Sequence, residues 1–122
     1  MAKKVHVVGT GTIGEPLIGL LCDFKQQLGI DEISFHKRSP LTYDRSKVQD
    51  LIDRGAKLVV DNDKYNDFKS IGLKPFTTTE EAIYESTVVI DCTPSGVGHD
   101  NKRKYYSKYD RVDGINYKKG FI

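Results

Sequence analysis

The sequence predicts an α/β fold, a doubly wound and mostly parallel sheet with helices on both faces. Three observations carry this reading. Short β-branched runs alternate with segments of helical period along the chain, an order that suits parallel strands joined by helical crossovers. Val88, Val89 and Ile90 are apolar at successive positions, as in a strand covered on both faces. Gly9, Gly11 and Gly14 punctuate the passage from the first strand into the first helix.

The elements follow in order. Val5-His6-Val7-Val8 is short, β-branched and bounded by glycine, which reads as a buried strand. From Ile13 the apolar positions Leu17, Leu20, Leu21, Phe24 and Leu28 keep to the helical period, and Gly29 supplies a stop. Glu32 to His36 is the second strand, and Pro40 punctuates the loop after it. Asp44 to Arg54 is a helix with Val48, Leu51 and Ile52 inward and Gly55 as its stop. Lys57 to Val60 is the third strand, Lys64 to Ile71 a short amphipathic helix ending at Gly72, and Leu73 to Phe76 a short strand. Thr78 and Glu81 have capping-box spacing and open a short helix through Ser86. Val88 to Cys92 is the strongest strand. Thr93 to Gly98 is a loop, Asp100 to Lys108 a polar helix and Val112 to Tyr117 a last strand.

Composition sets bounds on partners. The 122 residues fit one domain, taken as residues 1–122. A net charge of +2, from 19 basic and 17 acidic residues, is too even to argue for nucleic acid or an anionic membrane. No apolar run approaches the ~20 residues of a membrane span. The opening Met-Ala-Lys-Lys is not followed by a signal-type stretch, so a cytoplasmic protein is expected. Cys22 and Cys92 have no metal-ligand spacing and sit among apolar residues, which suits buried reduced thiols. His6 and His99 show no metal geometry, and no metal site is expected.

Gly9, Gly11 and Gly14 fit G-x-G-x-x-G within a βαβ unit ending near His36, the context that gives the pattern meaning. Gly9 permits the tight turn out of the strand, Gly11 lets a pyrophosphate approach the backbone, and Gly14 lets helix and strand pack closely. Thr12 and Ile13 lie in the first helical turn, whose unpaired N–H groups face the phosphates. Pro16 is tolerated there, and Glu15 adds a modest repulsion. The bland alternative is a turn that merely tightens a βα corner. The chemistry points to a Rossmann-like dinucleotide site.

The end of the second strand chooses between dinucleotides. Folds that bind NAD place an Asp or Glu about 20 residues after the glycines to take the adenosine ribose hydroxyls. Here the place reads Phe35-His36-Lys37-Arg38-Ser39, with no acid. Lys37 and Arg38 would attract a 2′-phosphate, Arg38 bidentately, so NADP is predicted over NAD, with NAD still possible. The alternative is a solvated basic turn. His36 stacks on the adenine or simply sits in the strand; the sequence leaves both open. Thr93, Pro94, Ser95 and Gly96 leave another strand at the same edge and leave room for the nicotinamide half, or form a loop rich in turn-formers.

The chain resembles the nucleotide-binding domain of archaeal-type glyceraldehyde-3-phosphate dehydrogenases. "GTGTIGEPL" is similar to that family's glycine turn, and "HKRSP" falls where the family has a lysine-containing segment before proline. "VVIDCTPSGVGHDNKRKYY" resembles its V-D-A-T-P-G-G-x-G-x-x-N-K-x-x-Y stretch, with Asp91, Thr93, Pro94, Gly96, Gly98, Asn101, Lys102 and Tyr105 in register. The resemblance implies the cofactor half of an enzyme that oxidises an aldehyde phosphate through a cysteine adduct, hydride transfer to NAD(P) and phosphorolysis. The family's Ser-Cys-Asn-Thr-Thr nucleophile segment has no counterpart here, and no catalytic residue is assigned. Glu15 stands where the family has a basic residue, and Tyr117-Lys118-Lys119-Gly120 where it has a glutamine-glycine-glycine turn.

The expected activity is cofactor binding without turnover, with a missing catalytic domain or a second copy covering the remaining face. Ending at Phe121-Ile122, the sequence reads as a domain of a longer protein or as a divergent or truncated gene. A free-standing module that senses NADP(H) is the second reading. Nucleic-acid binding through Lys102-Arg103-Lys104-Tyr105-Tyr106 is the third, and the spread of those charges around a helix favours a solvated face.

Overall fold

The structure, a computed structural model, describes residues 3–10, 14–40, 42, 45–92 and 120–121. Its strands are β1 (Lys4–Val8), β2 (Glu32–His36), β3 (Lys57–Val60), β4 (Thr77–Thr78), β5 (Val88–Asp91) and β6 (Gly120–Phe121). Its helices are α1 (Gly14–Asp23), α2 (Lys25–Leu28), α3 (Arg45–Asp53), α4 (Tyr65–Ser70) and α5 (Thr79–Glu85). The strands lie in the order β4-β3-β2-β1-β5-β6, and every pairing is parallel. The chain steps outward from β1 to β4, then returns across the sheet to β5 on the other side of β1. That is the doubly wound α/β arrangement. The predicted loop Thr93–Gly98, helix Asp100–Lys108 and strand Val112–Tyr117 lie outside the described residues.

Strand periodicity of two sorts the side chains. Val5 and Val7 share one face with Ile33, Phe35, Leu58 and Val60, in a cluster with Ile18, Val48, Leu51 and Phe68 from α1, α3 and α4. Phe35 and Phe68 are fully buried there, and burial of each is worth about 2–3 kcal/mol on transfer. The other face carries His6, Ser34, Val59 and Val89, and α5 packs over β1 and β3 with Ala82 and Ile83 buried. Helices therefore cover both sides.

Several elements differ from the sequence reading. The helix expected from Ile13 to Leu28 is described as α1 and α2, joined through Phe24 by bonds from Phe24 N to Leu20 O (3.1 Å) and from Leu28 N to Phe24 O (3.0 Å). Its buried contact is Ile18, with Leu17, Leu21 and Cys22 packed partly against the core, whereas Leu20, Phe24 and Leu28 are exposed. The strand expected at Leu73–Phe76 is not one: Pro75 has no N–H to give a ladder, and pairing starts after it, with Phe76 N on Leu58 O (2.7 Å) and β4 at Thr77–Thr78. The capping box at Thr78 does not form; Thr78 makes no side-chain cap bond, while Thr77 Oγ1 donates to Glu81 (3.0 Å). The helix expected over Lys64–Ile71 is a 3-10 turn, Asn62–Lys64, followed by α4. Gly55 and Gly72 stop α3 and α4 as expected, each followed by a residue whose amide reaches back five positions, Ala56 to Leu51 O (3.0 Å) and Leu73 to Phe68 O (3.2 Å).

His6 is an imidazole in the middle of a fully covered strand. Its Nδ1 lies 2.8 Å from Ser34 Oγ, and its Nε2 has no hydrogen-bond partner. With the proton on Nδ1 and donated to Ser34, Nε2 keeps only a lone pair and no N–H is orphaned. Burial, and then the proximity of His36, push its pKa from 6.5 down to about 3. Between those values the unfolded chain binds a proton that the folded chain refuses. Stability should be insensitive to His6 above pH 6.5 and fall on acidification by about 1.4 kcal/mol per pH unit through the window. Urea midpoints measured from pH 7 to pH 4 should therefore drop more steeply for the parent chain than for His6→Leu; parallel slopes would refute the assignment.

Candidate functional site

The strand order places a topological switch point between β1 and β5, because the chain leaves β1 in one direction and β5 in the other. Ligands of such sheets bind beyond the carboxyl ends of the strands at that point. Val8 and Asp91 are register partners, and Cys92 N donates to Val8 O at 2.7 Å, so the two strands end together. Gly9 then turns the chain with φ of 102°, a conformation that side chains rarely adopt. Gly14 opens α1 directly against that turn. A Cβ at Gly14 would overlap the Gly9 carbonyl oxygen and come within 2.7 Å of its carbonyl carbon. Cys92 Cβ would be 3.6 Å from the same atom, so strand end, turn and helix start meet at one spot. Gly11, Thr12 and Ile13, singled out in the sequence, lie outside the described residues, as do Thr93, Pro94, Ser95 and Gly96.

Beside this corner, the end of β2 carries Lys37 and Arg38. Val8 pairs with His36, so these basic residues follow the position level with the end of β1. Lys37 N donates to Val59 O at 3.1 Å, which keeps the chain alongside β3 as it leaves the sheet. Lys37 is half-buried and Arg38 exposed. His36 is the last residue of β2 and its side chain has a specific partner: Nε2 lies 3.0 Å from Asp61 Oδ1. The same oxygen accepts from Thr79 Oγ1 at 2.5 Å. Asp61 directly follows β3, His36 ends β2 and Thr79 begins α5, so three segments converge on one carboxylate at the carboxyl edge. The sequence reading missed Asp61 and Thr79. An acid directly after an apolar strand, Val59-Val60-Asp61, was the available signal.

Other groups fall into place around the corner. Glu15 lies in the first turn of α1, as the sequence indicated. Cys22 and Cys92 are free thiols, half-buried rather than buried. Burial raises the pKa of both, with Asp91 adding to the rise at Cys92, so neither resembles an activated nucleophile. Among the described residues no group of His, Cys, Asp or Glu is arranged to hold a metal ion, and no helix is long and apolar enough to cross a membrane. A groove of about 410 Å3, lined by Lys4, Glu32, Phe76, Glu81 and Glu85, opens at the amino-terminal end of the strands, the far end from the glycine corner.

No protein-family model matches the chain. Curated proteins do. The chain is 34% identical over 108 residues to a glyceraldehyde-3-phosphate dehydrogenase of Pyrobaculum arsenaticum, covering 88% of the chain and 29% of that protein. It is similar to part of archaeal glyceraldehyde-3-phosphate dehydrogenases. The enzyme of that name from Pyrobaculum islandicum is 29% identical over 110 residues, and that from Methanobacterium formicicum is 32% identical over 107 residues. The resemblance to glyceraldehyde-3-phosphate dehydrogenase read from the glycine turn and the "VVIDCTPSG" stretch is thereby borne out. The chain spans about three-tenths of the length of the relatives it matches.

The crowding at Gly14 makes a measurable demand. Gly14→Ala forces α1 away from Gly9, and overpacking of this kind costs about 1–3 kcal/mol. Urea unfolding should show that loss, whereas Pro16→Ala, at an exposed position two residues along, should leave the midpoint within about 0.5 kcal/mol.

Proposed function

We propose that this chain is the dinucleotide-binding portion, residues 1–122, of an oxidoreductase of the glyceraldehyde-3-phosphate dehydrogenase type, with NADP preferred to NAD. The observation that carries the reading is the glycine corner at the β1/β5 switch point, found in a chain similar to enzymes of that name. The corner suits a dinucleotide: Gly9 turns out of the strand and Gly14 lets α1 begin directly over the strand ends. The positive end of the helix dipole then lies where a pyrophosphate would sit. In this reading Gly9, Gly11, Thr12, Ile13 and Gly14 hold the pyrophosphate. Lys37 and Arg38 take the 2′-phosphate of the adenosine ribose. Thr93, Pro94, Ser95 and Gly96 border the nicotinamide half.

A bound nicotinamide supplies a hydride acceptor or donor. The chain's own residues bind and orient it and contribute no nucleophile, so binding without turnover is expected of this chain. The substrate-bearing remainder of the relatives, or a second copy, would complete the site. The reduced thiols suit a cytoplasmic setting.

Calorimetric titration of the chain with each dinucleotide tests the proposal. NADP should bind more tightly than NAD. Replacing both basic residues, Lys37→Ser with Arg38→Ser, should weaken NADP by roughly tenfold or more, the scale of one charge-assisted contact, and leave NAD nearly unchanged. Equal or tighter binding of NAD by the parent chain would overturn the preference. Absence of binding by either would overturn the function.

A further inference from the structure

An acid stands one strand over from the basic pair of the proposed site. Asp61 directly follows β3, at the same edge of the sheet where Lys37 and Arg38 follow β2. In register, His36 pairs with Val59, so Asp61 lies two residues beyond the partner of His36 and its carboxylate reaches back to the imidazole. A carboxylate at this edge is the group that repels a 2′-phosphate and accepts from a 2′-hydroxyl. Its side chain is 35% exposed, so solvent does not fully screen its charge. Two donors converge on one of its oxygens: His36 Nε2 at 3.0 Å and Thr79 Oγ1 at 2.5 Å. The His36 side chain is only 14% exposed, held between β2 and the Asp61 carboxylate.

From this arrangement we infer that His36 is a specificity-determining residue: by donating to Asp61 it masks a carboxylate that would otherwise favour NAD. An N–H given to a carboxylate withdraws part of the negative potential that the oxygen presents to the crevice. Lys37 and Arg38 then set the sign of the surface seen by the 2′ position. The inference rests on the NADP reading of Lys37 and Arg38, and it adds a residue and a role that those two lack. It gives His36 a use beyond the two left open by the sequence, a stacking platform for adenine or a plain strand residue. The imidazole turns toward Asp61, and its role is electrostatic rather than that of a stacking platform.

The test measures dissociation constants for 2′,5′-ADP and 5′-AMP, which differ in the 2′-phosphate and carry no nicotinamide. The ratio of the two constants is compared across the parent chain, His36→Leu, His36→Gln, Asp61→Asn, and His36→Leu combined with Asp61→Asn. His36→Leu should lose roughly tenfold in preference for 2′,5′-ADP, because the carboxylate loses a donor. His36→Gln offers an amide N–H at a similar reach and should keep the preference. Adding Asp61→Asn to His36→Leu should restore it, since no carboxylate remains to be masked. A side chain that only supports the fold would not be rescued by removing a second partner. Unpreserved preference in the double variant, or an unchanged ratio in His36→Leu, overturns the inference while leaving the NADP reading standing. A parent chain without preference for 2′,5′-ADP overturns the NADP reading itself. Urea midpoints of each variant establish folding. Should His36→Leu fail to fold, Asp61→Asn decides alone: a preference above the parent's supports the masking role, and an unchanged or lost preference overturns it.

Discussion

The close approach of α1 to the end of β1 governs the carboxyl edge of the sheet. Gly14 sits so near the Gly9 carbonyl that no side chain fits between them. This contact fixes where the helix starts, and with it where the helix dipole points. The end of β5 lies alongside, with Cys92 N on Val8 O continuing the ladder between β1 and β5. The constraint is steric and local, and it positions an electrostatic feature of the whole first helix. Fold and candidate site therefore share one cause at this corner.

The two faces of the sheet solve burial differently. The α1/α3/α4 side has an apolar centre, with Phe35 and Phe68 in it, and polar bonds from Arg45, Arg54 and Tyr65 at its rim. The α5 side admits polar groups and pairs them: His6 with Ser34, Ser86 Oγ with Ala82 O, and Asp61 with His36 and Thr79. Paired polar groups under a cover of helix are directional, and one of these bonds, Thr79 to Asp61, crosses from the helix to the sheet. α5 is seven residues long. Ala82 and Ile83 bury its apolar face, and Thr79 ties its first turn to the residue that follows β3.

Much of this was legible in the sequence. Glu32–His36 and Lys57–Val60 were predicted with the bounds observed, because runs rich in apolar residues between turn-formers leave little choice. Gly9 and Gly14 could be read because their spacing reports a backbone requirement rather than a preference. Periodicity told less about α1 and α2, since it finds apolar residues without saying which face the sheet will meet. Ile18 is buried, and Leu20, Phe24 and Leu28 are not. Thr78 failed as a cap because spacing cannot foresee which neighbouring hydroxyl finds a partner: Thr77 took Glu81 and Thr79 took Asp61. The His36–Asp61 pair spans 25 positions and exists only because β2 and β3 register as they do.

β4 is the outermost strand on its side, and it is two residues long. Pro75 stands just ahead of it and α5 starts directly after it. An incoming extended segment would find almost no ladder to extend, since proline lacks the donor ahead of the strand and the chain leaves the extended conformation two residues later. This margin of the sheet is thereby blunted against edge-to-edge association, by a proline ahead of the strand and by its brevity, with Lys74, Glu80 and Glu81 as charged neighbours in the chain.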